Sequence, residues 1–141
     1  MTTVAYRAGV MAADTCGIYT GDIKGHCSKL YRKGGAVLAF AGDLSPALVY
    51  LDWYGSAKAS PRAELIAGEA DFEGLILTKR GLFEVDKWCR PDKVRHRFHA
   101  IGSGASYALA AMMAGADAKR ACEIACEFDP NSRGPIVSMK L

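Results

Sequence analysis

Apolar positions along the chain fall into two periods, and the switches between them lay out the elements. Residues 2–7 (TTVAYR) and 10–14 (VMAAD) are short strand-like runs either side of Ala8-Gly9, the pattern of an antiparallel hairpin. SKLYRK leads into a Gly34-Gly35 turn. AVLAFAGD follows as a continuous apolar run between turn residues and predicts a buried strand. SPALVYLDWYG predicts a helix of roughly three turns, with Ser45 as N-cap, Pro46 at the first helical position and Gly55 near its end. Pro61 and Gly68 leave residues 56–71 room for at most a short helix. FEGLILTK, RGLFEV and RHRFHAIG predict three strands, the first two joined by a tight turn at Arg80-Gly81. GSGASYALAAMM opens a second helix ending at Gly115. Asp117 caps a third, AKRACEIACEF, whose Ala121, Ile124, Ala125 and Phe128 keep a helical spacing. Residues 15–26, with three glycines, predict loop and short strand; DPNSRG predicts a loop and PIVSMKL a closing strand.

Strands and helices come in blocks without βαβ alternation. That order argues an α+β fold with helices layered on largely antiparallel sheets, one domain over residues 1–141. A chain of this length buries roughly 70% of the surface it exposes unfolded. No repeat or low-complexity tract interrupts it.

Composition removes several function classes. A net charge of +3, with Lys and Arg scattered rather than striped, gives no footprint for nucleic acid. The uncharged run over residues 100–116 is rich in Gly, Ala and Ser and falls short of the ~18–20 strongly apolar residues of a membrane span. It predicts a buried helix. The N-terminus lacks the basic, apolar and cleavage regions of a signal peptide. Five cysteines without a CxxC suit a reducing cytoplasm, and the spacing of Cys16, His26, Cys27, Cys89, His96 and His99 is not that of a zinc site.

Candidate chemistry gathers at the first hairpin. Pairing across Ala8-Gly9 returns Asp14 to within a residue or so of Thr2 and Thr3. Methionine aminopeptidases remove Met before a small second residue, which would leave Thr2 with a free α-amine beside its hydroxyl. An α-amine titrates near ~8, so part of it is neutral at physiological pH and able to take the hydroxyl's proton. Taken alone, Thr2 is equally a residue that starts a strand.

Four separated motifs, in order, carry a resemblance over most of the chain: TTVAYRAGVMAADT, KLYRK with AVLAFAGD, HAIGSGASYALAAMMAGADA, and DPNSRG. Together they resemble the proteasome β subunits and the HslV peptidase, which are N-terminal-nucleophile hydrolases. The resemblance implies a four-layer αββα sandwich. It implies Thr2 as nucleophile with its own amine as base, and Asp14 paired with Lys29, whose charge would lower the amine's pKa. It also implies Gly42 as the oxyanion-hole N–H, and Ser103, Asp129 and Ser132 as hydrogen-bonding support around the amine. Phe40 falls at the floor of the substrate pocket, where core packing is an equal reading. Asp14 and Lys29 could instead be a surface ion pair contributing at most ~1 kcal/mol. The spacing from Asp14 to Lys29 is one residue short of the family's, so Lys24 and Lys33 stand as alternatives. Residues 56–71 cannot supply the family's second long helix, and Arg133 replaces a common small residue.

The function implied is peptide-bond hydrolysis in the cytoplasm by a homo-oligomeric ring, with polypeptide substrates, no cofactor or metal, and an ATP-driven unfoldase as a conceivable partner. Neither nucleic acid nor membrane is expected. A catalytically inert, ring-forming subunit is the alternative, and a small-molecule amidase on the same scaffold ranks below both.

Overall fold

The structure is a computed structural model that describes residues 2–19 and 24–141. Met1, whose removal the sequence argument needs, and Gly21 lie outside the described residues. The opening hairpin forms as the alternation demands: β1 (Val4–Arg7) and β2 (Val10–Ala13) pair antiparallel with Val4 opposite Ala13. Ala8 and Gly9 turn the chain with positive φ. β3 (Cys16–Ile18) and β4 (Lys24–His26) make a separate two-stranded ribbon. β5 (Leu30–Lys33) and β6 (Ala36–Gly42) follow as a second hairpin through Gly34-Gly35, both at positive φ.

The helix α1 (Leu44–Trp53) begins earlier than its Ser45-Pro46 signal suggests. Asp43 is the N-cap residue, without a side-chain capping bond, and its N–H donates to the Asp71 carbonyl at 2.7 Å. Pro46 then sits within the first turn, where its missing N–H costs nothing. α2 (Arg62–Ala67) is the short helix allowed between Pro61 and Gly68. Strands β7 (Phe72–Thr78), β8 (Gly81–Asp86) and β9 (Asp92–Lys93) extend the second sheet, and β10 (Phe98–Ile101) joins the first. β9 is only two residues of charged edge, too short for a period to show. Next come α3 (Ala105–Met113), α4 (Ala118–Phe128) and β11 (Val137–Lys140). Asp117 caps α4 as expected, its carboxylate accepting from the Arg120 N–H at 2.8 Å.

One sheet runs β10-β1-β2-β11 and the other β5-β6-β7-β8-β9, with every pairing antiparallel. Period-two alternation fills three apolar layers. Val4, Met11, Ala13 and Ile101 face inward against Val37, Ala39, Leu75 and Leu77 of the opposite sheet. The other face of the first sheet, Ala5, Ala12 and Ala100, packs on Ala108, Ala111, Ala118, Ala121 and Ala125 of α3 and α4. Alanines dominate the buried residues of this seam, with Met112 and Cys122 among them, so helices and sheet approach closely. Leu38, Phe40, Phe72 and Ile76 cover the far face of the second sheet with Ala47, Tyr50 and Leu65 of α1 and α2. Helix, sheet, sheet, helix is the four-layer sandwich.

Candidate active site

The hairpin register puts Asp14 opposite Thr3, one step beyond the Val4–Ala13 pair. Asp14 N–H donates to the Thr3 carbonyl at 3.1 Å, and Thr3 N–H donates back to Asp14 Oδ1 at 2.9 Å. Asp14 Oδ2 accepts from the backbone N–H groups of Cys16 at 2.9 Å and Arg133 at 3.1 Å. Lys29, the residue before β5, reaches Asp14 Oδ1 with Nζ at 2.8 Å. Asp14 is fully buried and Lys29 is 6% exposed, so this pair is no surface ion pair. A carboxylate so deep is sustained by meeting charge and hydrogen bonds on both oxygens. The other two lysines go elsewhere: Lys24 Nζ donates to the Pro130 carbonyl, and Lys33 Nζ to the carbonyls of Leu51 and Asp52 at the end of α1.

A second polar cluster closes on Thr2 from the α3 and α4 side. Thr2 N–H donates to Ser103 Oγ at 3.1 Å. Ser103 Oγ–H donates to Asp129 Oδ2 at 2.7 Å, and Ser132 Oγ–H donates to the same oxygen at 2.6 Å. Asn131 N–H donates to Asp129 Oδ1 at 3.0 Å. Burial alone would raise the Asp129 carboxyl; the bonds from Ser132, Ser103 and Asn131 outweigh it and hold the group below the usual carboxylate range. Ser103 is thus not the cap of α3, a place taken by Gly104. Asp129 ends α4 as its C-cap.

Beside Thr2 and Lys29 lies a cavity of about 320 Å³, with Gly42 and Phe40 also in its wall together with Tyr31 and Ala47. Gly42 has φ +92°, and a Cβ there would collide with the Asp71 carbonyl, so only glycine fits. Gly102 is held similarly, at φ +90°, with its missing Cβ overlapping the Thr2 carbonyl. Phe40 is buried in the core and also borders the cavity. Its ring packs among Tyr31, Tyr50 and Phe72 at centroid distances of 6.0, 6.0 and 6.1 Å, and its edge still forms part of the cavity wall.

Four contributors carry no distinct sequence signal. Cys16 and Cys27 line the cavity, and burial, offset in part by Lys29, pushes the Cys27 thiol up, leaving it neutral. Tyr19 also lines it, its ring lying over the facing pair Gly17–Gly25; a Cβ on Gly25 would come within 2.8 Å of that ring. Thr3 joins the two polar clusters, a position that only the three-dimensional contacts disclose.

The described residues therefore form an αββα sandwich that brings a threonine at the foot of its first strand to the wall of a cavity beside a buried lysine–aspartate pair, the fold of the N-terminal-nucleophile hydrolases. Solved structures share it over nearly the whole chain. BPH from Thiobacillus denitrificans superposes with a TM-score of 0.76 at 23% identity, covering 99% of this chain and 96% of that one. The same protein in complex with epoxomicin gives 0.73 at 23% identity, covering 99% and 97%. HslV from Trypanosoma brucei gives 0.67 at 18% identity, covering 99% of each chain. Neither a protein-family model nor a curated protein matches the sequence. The fold implied by the sequence motifs is thus the fold observed. No helix among the described residues is long and apolar enough to cross a membrane.

Proposed function

We propose that this chain is an N-terminal threonine endopeptidase of the proteasome β/HslV kind. The observation that carries the reading is Lys29, paired with the buried Asp14, in the wall of the same cavity as Thr2. In the sequence as written Thr2 nitrogen is an amide, which has no basic lone pair. Hydrolysis of the Met1–Thr2 bond is the first requirement of the reaction, because it turns that nitrogen into an amine. The Lys29 charge, fixed by Asp14, favours the neutral form of the amine. The amine takes the proton of Thr2 Oγ1 as the oxygen attacks a peptide carbonyl. The oxyanion is met by the Gly42 N–H. Collapse passes the proton to the leaving amine and leaves an ester on Thr2. Water, deprotonated by the same amine, hydrolyses the ester and restores the hydroxyl.

Phe40, Tyr31 and Ala47 give the cavity an apolar wall, which supports an apolar residue of modest size on the acyl side of the cleaved bond. Exposed Leu44 and Leu48, one turn apart on α1, support association with further copies in a cytoplasmic ring that admits unfolded polypeptide, with an ATP-driven unfoldase as the supplier. No metal or cofactor enters the scheme.

The test is intact mass of the native protein followed by a peptide epoxyketone, the chemical class of the epoxomicin found with the Thiobacillus neighbour. Loss of Met1, one adduct on Thr2, and cleavage of fluorogenic peptides abolished by Thr2→Ala are expected. Retention of Met1 throughout, with neither adduct nor cleavage, would instead support the catalytically inert alternative.

A further inference from the structure

Thr3 stands at the meeting point of the two polar clusters and is fully buried. Its peptide N–H and carbonyl are both bonded to Asp14, at 2.9 and 3.1 Å, and the carbonyl also accepts from the Cys122 thiol at 3.8 Å. Its hydroxyl lies 2.7 Å from Ser132 Oγ. On the α3 side Gly104 leaves the room: a Cβ there would coincide with Thr3 Oγ1. A residue held at its N–H, its carbonyl and its hydroxyl, and fitted against a glycine, has one orientation.

We propose that Thr3 is a positioning residue for the Thr2 nitrogen, acting through Ser132, Asp129 and Ser103; this rests on the peptidase reading above. The direction of each hydrogen in the chain follows from counting donors. Asp129 Oδ2 accepts from Ser132 at 2.6 Å and from Ser103 at 2.7 Å; the Ser103 hydroxyl also lies 3.4 Å from the Thr2 carbonyl, and the shorter contact, to a charged acceptor, takes its proton. Ser132 oxygen, having spent its proton, can only accept from the Thr3 hydroxyl. Ser103 oxygen can likewise only accept from the Thr2 nitrogen. All hydrogens in the chain therefore point toward one carboxylate. Once Thr2 carries a free amine, Ser103 engages one of its N–H bonds and leaves the lone pair for the hydroxyl proton. Thr3 fixes the outer end of this chain while its peptide groups fix Asp14, and thereby Lys29, which lines the same cavity as Thr2.

The experiment compares Thr3→Val, which keeps the shape and deletes the hydroxyl, with Thr3→Ser, which keeps the hydroxyl, in Met1-free protein. With a fluorogenic peptide, Thr3→Val is expected to lose about 10–100-fold in kcat with KM within about threefold, and Thr3→Ser to restore kcat to within about threefold. Unchanged kcat in Thr3→Val, or equal loss in Thr3→Ser, would overturn the proposal, since the first removes the role and the second reduces it to packing. A readout independent of turnover is the NMR titration of the Asp129 carboxyl carbon. That carboxyl is faced by Ser103 and Thr2 from one side and by Ser132 and Asn131 of its own loop. Cys126 faces it from α4, its thiol pushed up to about 11, chiefly by burial, and neutral throughout. Thr3→Val is expected to raise the Asp129 midpoint and Thr3→Ser to leave it; an unmoved midpoint overturns the link even in an inactive protein. Absence of both hydrolysis and adduct in the Met1-free wild type would instead sink the peptidase reading, with the titration still deciding whether Thr3 reaches Asp129. Should Thr3→Val fail to fold, Ser132→Ala cuts the chain one bond further on and must show the same kcat loss.

Discussion

Asp14→Asn is the substitution whose cost the geometry states most directly. The side chain keeps its volume, yet each carboxylate oxygen accepts two donors: Thr3 N–H and Lys29 Nζ on Oδ1, Cys16 and Arg133 N–H on Oδ2. An asparagine has one carbonyl oxygen and one NH₂, so either orientation sets the NH₂ against two donors. Two buried donors left unmade cost about 1–3 kcal/mol each. Lys29 also loses its counter-charge at 6% exposure, a change of the kind that costs about 3–5 kcal/mol when one partner of a buried pair is removed. The two overlap where Lys29 is itself one of the unmade donors, so one further donor adds to the broken pair and the expected loss is about 4–8 kcal/mol. That is a large part of an ordinary domain stability of about 5–15 kcal/mol. Urea unfolding followed by circular dichroism, at one fixed protein concentration because association would shift the midpoint, measures it. Adding Lys29→Met deletes the cation that Asp14 paired, so the double variant should recover about 1–3 kcal/mol relative to additivity. If Asp14→Asn lowers stability by less than about 1 kcal/mol, the carboxylate is not the buried four-bond acceptor described here.

Three further outcomes are expected. Gly42→Ala should cost about 1–3 kcal/mol from its backbone conformation alone, read by the same unfolding assay, and should depress peptide cleavage, since the Asp71 carbonyl must move to admit the methyl group. Asp129 binds its proton less readily folded than unfolded, so its contribution is complete above the ordinary carboxyl value of about 3.9 and is lost as pH falls through the lower folded value. The stability difference between wild type and Asp129→Asn should therefore be constant at neutral pH and narrow only in that acid window; a difference that narrowed near pH 7 would contradict it. Burial pushes the Cys122 thiol far up, with Asp14 adding to the effect, and no part of that residue is exposed. Iodoacetamide at pH 8 should leave Cys122 unmodified in native protein, as peptide mass spectrometry would show, while denaturation makes it react.

The layers of this fold were legible because their signals are local. Ala8-Gly9 and Gly34-Gly35 mark hairpins, Asp117 marks a helix start, and Pro61 with Gly68 confine α2. The boundary of α1 was misplaced because Ser45-Pro46 is a strong local signal, whereas Asp43 is fixed by a bond to Asp71, the residue before β7. Within the site, the adjacency of Asp14 to Thr3 follows from hairpin arithmetic. That Lys29, and not Lys24 or Lys33, meets Asp14 does not, because the separate ribbon of β3 and β4 intervenes and sets the register by tertiary contact. Tyr19, and the reach of the Thr3 hydroxyl to Ser132, were invisible for a related reason. One is defined by the absence of two side chains beneath its ring, the other by the absence of one beside its hydroxyl.

The alanine seam beneath α3 and α4 acts as a spacer gauge for the chemistry on its rim. Ser103 stands just ahead of α3 and Asp129 just past the end of α4, so their reach to the first strand is set by how thick that layer of methyl groups is. One extra branch at Ala121 or Ala108, remote from any substrate, would lift a helix, stretch the bond to the Thr2 nitrogen and detune the reaction without touching a reacting atom. In this chain, small residues far from the cavity are under the same dimensional tolerance as the polar ones within it.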